Sequence, residues 1–389
     1  MRSAFLPFSP PLIGEEEIAE VVDTLQSGWI TTGPKTKQFE QEFAEFIGAP
    51  AALALSSATD AMLVGLAALG IGPGDEVITT PMTFCSTVHV IEHLGATPVL
   101  VDVEPDTLNI APSQVARAVT PRTRAVMPVH LYGHPCEMDA LLDIAAQHDL
   151  RILEDAAHAL PAKYKGRAVG TLSTLTAFSF YATKNLTTAE GGMLTGDLDT
   201  IEQARVWSLH GMSRDAYKRY SAEGSWYYEV ILPGFKCNMT DICAAIGLHQ
   251  LRNLPQFQAR RREIVHRYNE AFSQVKELQV PVERPEIEHA WHIYALRLNL
   301  ERLTIDRTQF IEELKTRNIG ASVHFIPIHL HPYYRDKYGY RPEDFPVAHE
   351  NYQKLISLPL NLRMSDQDME DVIEAVLDVT SSHLSKKGK

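Results

Sequence analysis

The chain has 389 residues, which at about 150 residues per domain is enough for two or three domains. Apolar residues make up 45% and charged residues 22%, a composition that excludes intrinsic disorder and fibrous classes. With 36 Lys and Arg against 49 Asp and Glu, the net charge is −13, which argues against a non-specific nucleic-acid binder because such a protein needs a basic face.

The sequence shows no export or membrane signal. No uncharged stretch reaches the roughly 18 apolar residues of a membrane span. The segment from Met1 to Pro11 has no continuous apolar block, so we expect no signal peptide. The four cysteines form no C-x-x-C pair. We therefore expect a cytoplasmic protein with reduced thiols and no membrane partner.

The first half of the chain alternates short apolar runs with amphipathic stretches. Strands are predicted over residues 51–55, 76–80, 98–103, 125–130, 151–154, 175–180 and 193–195, and helices over residues 59–69 and 138–147. Strands separated by helices need crossover connections, which predict an α/β fold with a mainly parallel sheet and helices on both faces.

The pattern changes after Pro255. A long helical stretch over residues 256–272 precedes mixed strand and helix segments that continue to about residue 380. We predict a large domain over residues 1–254, including an N-terminal arm, and a smaller α+β domain over residues 255–380. The Ser-, Lys- and Gly-rich segment 381–389 is predicted to be a disordered tail.

Ligands of parallel sheets collect at the carboxyl ends of the strands, so the residues there are the first candidates. The segment Ser56-Ser57-Ala58-Thr59-Asp60 lies between a strand and a helix. Its small residues and the free N–H groups of the helix N-terminus suit a phosphate. Ser57 followed three residues later by Asp60 equally resembles a capping box.

Asp155 ends another predicted strand. Adjacent strand residues point to opposite faces, so Glu154 and Asp155 cannot both face one pocket and a paired-carboxylate mechanism is not expected. A single Asp at this position suits a cation or a protonated ring nitrogen. The alternative is a carboxylate that caps a helix.

Lys184 follows the apolar, aromatic run that includes Phe178 and Phe180. Such surroundings desolvate an amine and lower its pKa, which makes a lysine a nucleophile for Schiff bases. The alternative is a surface lysine in a loop. Beyond it, Glu190-Gly191-Gly192 suggests a tight turn that brings backbone close to a ligand.

These sites together match the needs of one cofactor. Pyridoxal 5'-phosphate (PLP) requires a phosphate cradle, an acid that keeps the pyridine nitrogen protonated and a lysine that bonds to its aldehyde. The chain supplies the three in that order, in the half that is predicted to form the parallel sheet.

The same residues resemble a known family. The shared motifs are Ser57-Ala58-Thr59, Asp155 with His158, Ser179-Phe180 with Lys184, and Glu190-Gly191-Gly192. They are similar to those of the DegT/DnrJ/StrS family of PLP-dependent sugar aminotransferases, and the resemblance runs from about residue 5 to residue 380. It implies fold type I, with a mainly parallel seven-stranded sheet between helices and a smaller α+β C-terminal domain. Within the family, the likeness is closest to the enzymes that aminate the 4-keto pentose of UDP on the way to 4-amino-4-deoxy-L-arabinose.

The resemblance also implies roles for individual residues. Lys184 would bond to the cofactor and move the proton, Asp155 would pair with the pyridine nitrogen, and His158 would lie close to the ring. The remaining cofactor contacts would come from Thr59, Asp60 and Ser179 at the phosphate, Phe84 stacked on the ring, and Asn238 reaching the phosphate from the partner subunit. The candidate sugar-pocket residues are Trp29, Thr31, Lys236, His324 and His329. Because Asn238 would act across subunits, a homodimer with shared active sites is expected.

The implied reaction is a ping-pong transfer from L-glutamate, through pyridoxamine 5'-phosphate (PMP), to a nucleotide-linked keto sugar. Three positions depart from the family pattern. Lys236 stands where many members have Asn, and it would compensate charge or contact the nucleotide diphosphate. Phe84 stands where the 4-keto pentose enzymes have Trp, which widens the pocket, and Asp60 stands where many members have a small residue, so its side chain must turn away. These departures leave the identity of the sugar open.

Three alternatives remain at this point. A related dehydratase is disfavoured because such enzymes have His in place of Lys184. A transaminase of small amines or aldehydes agrees with the wider pocket at Phe84. A PLP-binding regulator is disfavoured by the acidic charge and by the family likeness that begins within the first ten residues. Finally, His324, His329 and His331 are interrupted by prolines, so no metal site is expected.

Overall fold

A seven-stranded sheet forms the centre of the first half of the chain in the computed structural model, which describes residues 2–213 and 227–385. In chain order the strands are β1 (Ala51–Leu55), β2 (Glu76–Thr79), β3 (Thr97–Leu100), β4 (Thr123–Val126), β5 (Arg151–Asp155), β6 (Lys163–Tyr164), β7 (Arg167–Ala168), β8 (Leu175–Ser179), β9 (Gly192–Gly196), β10 (Leu278–Gln279), β11 (Ile287–Glu288), β12 (Tyr294–Leu298) and β13 (Leu355–Leu358). The central sheet has the order β1-β9-β8-β5-β4-β2-β3. Only β9 runs antiparallel to its neighbours, which confirms the prediction of a mainly parallel sheet of seven strands.

Helices cover both faces of this sheet. The helices of the described residues are α1 (Glu15–Ser27), α2 (Pro34–Ile47), α3 (Ala58–Ala68), α4 (Ser86–His93), α5 (Pro112–Ala118), α6 (Met138–His148), α7 (Leu198–Ser208), α8 (Asp241–Phe272), α9 (Arg307–Thr316), α10 (Pro332–Tyr338), α11 (Pro346–Lys354) and α12 (Asp366–Ser382). Alternate residues of β1 enter different cores: Ala52 and Ala54 pack with α2, α6 and α8, whereas Leu53 and Leu55 pack with α3, α4 and α7. The two-residue period of a strand thus places one apolar layer on each side of the sheet.

Helix α8 connects the two halves of the chain without a break. It continues through Pro255, so the predicted boundary between residues 254 and 255 falls inside a helix rather than in a linker. Leu248 and Leu254 pack in the core beside the large sheet, whereas Ile264 and Tyr268 belong to a separate core in the second half. The division into two domains agrees with this change of core, and its position stays a prediction.

The second core is built on the sheet β10-β12-β13, with α9 and α12 packed against it. Leu6 of the N-terminal arm is buried in this core and pairs with Ile319, so the start of the arm packs on the smaller domain. Further along the arm, the carbonyl of Leu12 accepts a hydrogen bond from Gln250 Nε2 (3.0 Å) in the part of α8 that we assigned to the large domain. The predicted disorder of the tail is wrong for residues 381–385, because α12 ends at Ser382 and Leu384 forms a bridge with Leu303. Residues 386–389 lie outside the described residues. In the described parts of the chain, no helix has the length and apolarity needed to cross a membrane.

Candidate active site

A cavity of about 460 Å³ opens where the parallel strands end. The side chains around it come from several loops and helices: Ser57, Ala58, Thr59, Met62, Thr83, Phe84, Ser86, Val129, Asp155, Ala157, His158, Ser179, Tyr181, Thr183, Lys184, Glu190, Gly191, His292, His324 and Phe325. The fold therefore brings together seven predicted site residues, which are Thr59, Phe84, Asp155, His158, Ser179, Lys184 and His324. These residues are separated by up to 265 positions in the chain. Those of the large domain meet because the carboxyl ends of its parallel strands share one edge of the sheet.

Asp155 lies at the carboxyl end of β5 and is buried. Its Oδ2 accepts a hydrogen bond from Thr87 Oγ1 (2.7 Å), and its Oδ1 accepts one from the backbone N–H of Ala157 (3.1 Å). Burial raises the pKa of Asp155, while these two hydrogen bonds and the charge of Lys184 oppose the rise. A buried carboxylate held in this way is suited to a cationic partner, such as a protonated ring nitrogen.

Glu154 points to the other side of the sheet, as the strand period predicts. Its carboxylate contacts His130 Nε2 (2.7 Å) and accepts hydrogen bonds from Ser173 (2.6 Å) and Thr176 (2.9 Å). All of this carboxylate's partners lie away from the cavity. Glu154 and Asp155 therefore have different surroundings. Because they lie on opposite faces of the sheet, a paired-carboxylate mechanism is excluded.

Lys184 lies in the loop after β8, where its backbone N–H donates to the carbonyl of Tyr181 (2.9 Å). Burial lowers the pKa of Lys184 from 10.5 to about 8, against the opposing charge of Asp155. An amine with this pKa is substantially neutral at mildly alkaline pH. It can therefore act as a nucleophile and as a proton carrier, as the aromatic run before it predicts.

This pKa gives a testable pH dependence. Only the neutral amine can bond to an aldehyde, so the rate at which the cofactor-free protein takes up PLP should rise with pH and level off above the pKa of Lys184. We expect the midpoint near pH 8, well below the ordinary lysine value of 10.5. Stopped-flow absorbance over a pH series measures it, with a lysine-containing peptide as the reference. A protein midpoint equal to that of the peptide would contradict the burial of the amine.

The N-terminus of α3 lines part of the cavity. Ser57 caps the helix, and its Oγ accepts the backbone N–H of Asp60 (3.0 Å). Ala58 and Thr59 face the cavity together with Ser179. Asp60 does not line it, because its carboxylate accepts a hydrogen bond from Ser56 and its N–H is taken by Ser57. The backbone contact of Asp60 with a phosphate stays a prediction, and its side chain turns away from the cavity as the family resemblance requires.

Gly192 explains why a glycine pair follows Glu190. A Cβ atom at Gly192 would lie 2.4 Å from the carbonyl carbon and oxygen of Ser57 and 2.6 Å from the nitrogen of Ala58. Contacts this short force backbone to move, so the start of β9 can approach α3 only without a side chain.

We expect Gly192→Ala to push the N-terminus of α3 out of position and to weaken PLP binding by about 10- to 100-fold. Fluorescence titration of the cofactor-free protein with PLP measures the affinity. Gly72→Ala is the matched control, because a Cβ at Gly72 meets no atom within 4 Å. Equal PLP affinities in the two variants would show that the close approach of Gly192 to the N-terminus of α3 does not shape the candidate phosphate site.

His158 lies beside the cavity as a neutral imidazole. Its Nδ1 accepts the backbone N–H of Tyr132 (3.2 Å), which leaves the proton on Nε2. Burial lowers the pKa of His158 well below 6.5, and the charge of Lys184 acts in the same direction. Phe84, with 57% of its surface exposed, lies at the mouth of the cavity with its ring 5.8 Å from that of Phe325.

The sequence did not identify two cavity residues, His292 and Phe325. The ring of His158 lies 4.5 Å from that of His292 and 5.6 Å from that of Phe325. Both residues come from the second half of the chain, more than 130 positions after His158. No local pattern connects segments so far apart, and only the docking of the smaller domain places them here.

Besides Asp60 and His329, four candidate residues lie outside this cavity. Thr31, Lys236 and Asn238 line a second cavity of about 300 Å³, near the start of α8. Trp29 lies in the loop beside it, where its Nε1 donates to the carbonyl of Thr32 (3.0 Å). Within one chain, these residues therefore do not meet Lys184.

His329 does not line a sugar pocket, contrary to our prediction. It is fully buried, with its ring 4.8 Å from that of Phe345, and burial lowers its pKa to about 4. Ile328 beside it is part of the same apolar core, which explains why the turn points inward. Among residues 2–213 and 227–385, no group of three or more His, Cys, Asp or Glu side chains is arranged to hold a metal ion.

The residues of the first cavity fit PLP. Lys184 supplies an amine with a lowered pKa, Asp155 supplies a buried carboxylate, and the N-terminus of α3 supplies backbone N–H groups where Gly192 approaches too closely for any side chain. These are the groups needed for the aldehyde, the pyridine nitrogen and the phosphate.

Comparison with known proteins gives a consistent result. Residues 11–377 match the DegT/DnrJ/EryC1/StrS aminotransferase family. The chain is 54% identical over 380 residues to the spore coat polysaccharide biosynthesis protein SpsC of Bacillus subtilis, covering 97% of this chain and 98% of SpsC.

Solved structures agree with this match. Spr1654 from Streptococcus pneumoniae, known in PLP and PMP forms, superposes with a TM-score of 0.91 at 37% identity, covering 97% of this chain and 99% of Spr1654. Helicobacter pylori PseC, an aminotransferase involved in the biosynthesis of pseudoaminic acid, gives a TM-score of 0.90 at 27% identity, covering 98% of this chain and 100% of PseC.

Proposed function

The chain belongs to the DegT/DnrJ/EryC1/StrS aminotransferase family, and on that premise we propose that it moves an amino group from L-glutamate to a nucleotide-linked keto sugar. It is an aminotransferase of fold type I that uses PLP, with PMP as the form that carries the amino group between half-reactions. The favoured acceptor is a UDP-linked 4-keto pentose or, alternatively, a 4-keto hexose.

One observation carries the proposal: Lys184, with its lowered pKa, and the buried Asp155 lie in a single cavity. When bound, PLP supplies an aldehyde and a ring that withdraws electrons. In the proposed roles, Asp155 holds the proton of the ring nitrogen, and Lys184 carries the proton to and from the reacting carbon. Ser179 and the N-terminus of α3 bind the phosphate, and His158 fixes the position of the ring.

The acceptor is proposed from the relatives and from the shape of the cavity. SpsC and PseC are both described by their part in making carbohydrates, the first a spore coat polysaccharide and the second pseudoaminic acid. The cavity is open at Phe84, and His324 lines its wall, so a polar, ring-shaped acceptor can enter and find a hydrogen-bonding partner. These features support a sugar.

The second cavity supports a nucleotide on that sugar. Its cationic lining residues are Lys37, Arg205 and Lys236, and its one carboxylate, Glu40, is paired with Arg205 (3.1 Å). A site with this excess of positive charge suits a diphosphate. Asn238 also lies there, which is the residue that family resemblance assigns to the phosphate of the partner's cofactor.

A homodimer completes this arrangement. On α1, the exposed side chains of Ile18, Val22 and Leu25 form one apolar stripe, and Val230 and Ile231 are 63% and 60% exposed. Such surface in one chain marks an interface. We propose that a second copy covers it, so that Asn238 and Lys236 of one subunit lie next to the Lys184 cavity of the other.

Shared sites predict complementation between inactive variants. Lys184→Ala and Asn238→Ala should each have little activity alone. A heterodimer has one site with both lesions and one intact site, so random coexpression should restore about one quarter of wild-type activity. Activity of the copurified mixture measures this. Activity no greater than the sum of the two homodimers would show that Asn238 serves its own subunit.

The proposed reaction is tested in a visible spectrum of the purified protein. L-Glutamate should bleach the yellow band of the bound cofactor and release 2-oxoglutarate, and a UDP-linked 4-keto pentose should restore the band. Bleaching without restoration by this sugar or by 4-keto hexoses would refute the acceptor. Bleaching without 2-oxoglutarate would refute the donor.

A second candidate is a transaminase of small amines or aldehydes, which the exposure of Phe84 favours because the cavity mouth is wide. In the same cuvette, small amines would then bleach the band and aldehydes would restore it, while nucleotide sugars would do neither.

A further inference from the structure

His292 lines the cavity, and one nitrogen of its ring is hydrogen-bonded to a residue that does not line it. His292 is buried and lies between β11 and β12, and its backbone N–H donates to the carbonyl of Tyr132 (3.0 Å) in the large domain. Its Nδ1 lies 3.2 Å from Oδ1 of Asn185, the residue directly after Lys184. His292 therefore connects the smaller domain to the lysine loop.

The other contacts of Asn185 settle which atom of this pair donates. Asn185 Nδ2 donates to two backbone carbonyls, those of Ala290 (2.8 Å) and Leu160 (3.0 Å). The amide nitrogen is thus committed, and Oδ1 faces His292 as an acceptor. His292 must supply the proton, so its Nδ1 is the protonated nitrogen.

A neutral imidazole has one N–H, so this contact leaves Nε2 of His292 as a lone-pair acceptor. His158 is fixed in the opposite way, because its Nδ1 accepts from Tyr132 and its Nε2 carries the proton. The two rings lie 4.5 Å apart in the same cavity as Lys184. The cavity thus holds two histidines with complementary tautomers, one offering a donor and the other an acceptor.

We propose that Nε2 of His292 accepts a hydrogen bond from the Lys184 amine and so holds that amine in place whenever it is not bonded to the cofactor. His292 would then be a positioning residue for the reacting lysine, and Asn185 would set its tautomer. The role depends on the aminotransferase chemistry of Lys184 and not on which donor or acceptor the enzyme uses.

The surrounding charges are consistent with a neutral acceptor at His292. Burial lowers the pKa of His292 well below 6.5, and the positive charges of Lys184 and of Arg261 on α8 act in the same direction. The other titratable groups near the ring are His158 and His324, whose own pKa values burial also lowers. The carboxylates around the cavity are Asp155 and Glu190. Since no carboxylate bonds to the ring of His292 among the described contacts, the ring stays neutral and keeps its acceptor over the working pH range.

The first experiment reads the tautomer directly. Full-length protein with ¹⁵N-labelled histidine, freed of PLP, should show in long-range ¹H–¹⁵N spectra a neutral His292 protonated at Nδ1 and a neutral His158 protonated at Nε2. The signals are assigned by their loss in His292→Asn and His158→Asn. A His292 protonated at Nε2, or doubly protonated at pH 7, would overturn the proposal.

The second experiment distinguishes a hydrogen-bond acceptor at Nε2 of His292 from a side chain that only fills space. His292→Asn keeps a donor toward Asn185 but has no atom at the Nε2 position, whereas His292→Gln places an amide there. A hydrogen bond to the ammonium form stabilises it, so its loss lowers the pKa of Lys184. In His292→Asn, PLP uptake by the cofactor-free protein should slow about tenfold on its alkaline plateau, and its midpoint should fall by about one pH unit.

His292→Gln should recover most of both effects. Thermal unfolding of the two variants checks that each is folded. An unchanged midpoint and rate in folded His292→Asn would overturn the proposal, as would equal defects in both variants. Because uptake needs no amino donor or sugar, these outcomes do not depend on whether the proposed substrates are correct.

Discussion

Replacing Lys184 with alanine is expected to abolish transamination, with a loss of about 10⁴-fold or more. In the proposed mechanism this residue has two roles that alanine cannot take over: it would bond to the cofactor aldehyde and it would carry the proton at the reacting carbon. General acid–base catalysis alone accounts for about 10²- to 10⁴-fold, and removal of a nucleophile that acts as part of a unit costs more. Steady-state and single-turnover rates with L-glutamate measure the loss.

The matched control is Lys165→Ala. Lys165 is an exposed lysine of the same domain, and its ion pair with Asp139 lies on the surface, where such pairs contribute little. Its activity and cofactor spectrum should remain those of the wild type. Mass spectrometry after borohydride reduction should find the cofactor attached at residue 184 in both wild type and control. Attachment at another lysine would refute the central assignment.

Asp155→Asn should lower activity by about 10²- to 10³-fold while PLP still bonds to Lys184. An amide has no charge to hold the proton of the ring nitrogen, so the stabilisation of negative charge on the ring is lost. The amide oxygen can keep accepting the backbone N–H of Ala157, and the amide nitrogen can donate to the hydroxyl of Thr87, so the fold should persist. Loss of the Asp155 charge also removes an interaction that raises the pKa of Lys184, so PLP uptake should have its midpoint below pH 8.

Glu154→Gln is the control on the opposite face. Glu154 bonds to His130, Ser173 and Thr176 in the interior, so its loss should lower the free energy of unfolding by about 1.5–3 kcal/mol. The cofactor spectrum and the pH midpoint of PLP uptake should remain normal. If Glu154→Gln shifted that midpoint as much as Asp155→Asn does, the separation of the two faces would be refuted.

The local pattern of the sequence was sufficient for much of the large domain. The strand β1 was predicted with its exact bounds, and the other six strands of the central sheet were located within a few residues, because runs of apolar residues between turn signals report burial directly. The opposite faces of Glu154 and Asp155 followed from the two-residue period of a strand. The likeness to one family over nearly the whole chain then predicted the cofactor and the fold type.

Predictions that depended on how distant segments of the chain pack together were less successful. His329 belongs to a histidine motif next to His324, yet only His324 reaches the cavity, since the turn between them buries His329 against Phe345. Two histidines of one motif thus have different environments, because burial is decided by what packs on the segment.

The sequence by itself therefore determined the sheet, the order of the candidate cofactor-binding motifs and the candidate lysine, all of which depend on interactions within short segments or on motif likeness. Only the tertiary structure decided that His292 and Phe325 complete the cavity, that Asn185 fixes the tautomer of His292, and that Asn238 and Lys236 lie in a separate cavity. The first two arrangements depend on contacts between the smaller domain and the large domain, which join residues more than 100 positions apart, and the third depends on how distant segments of the large domain pack together.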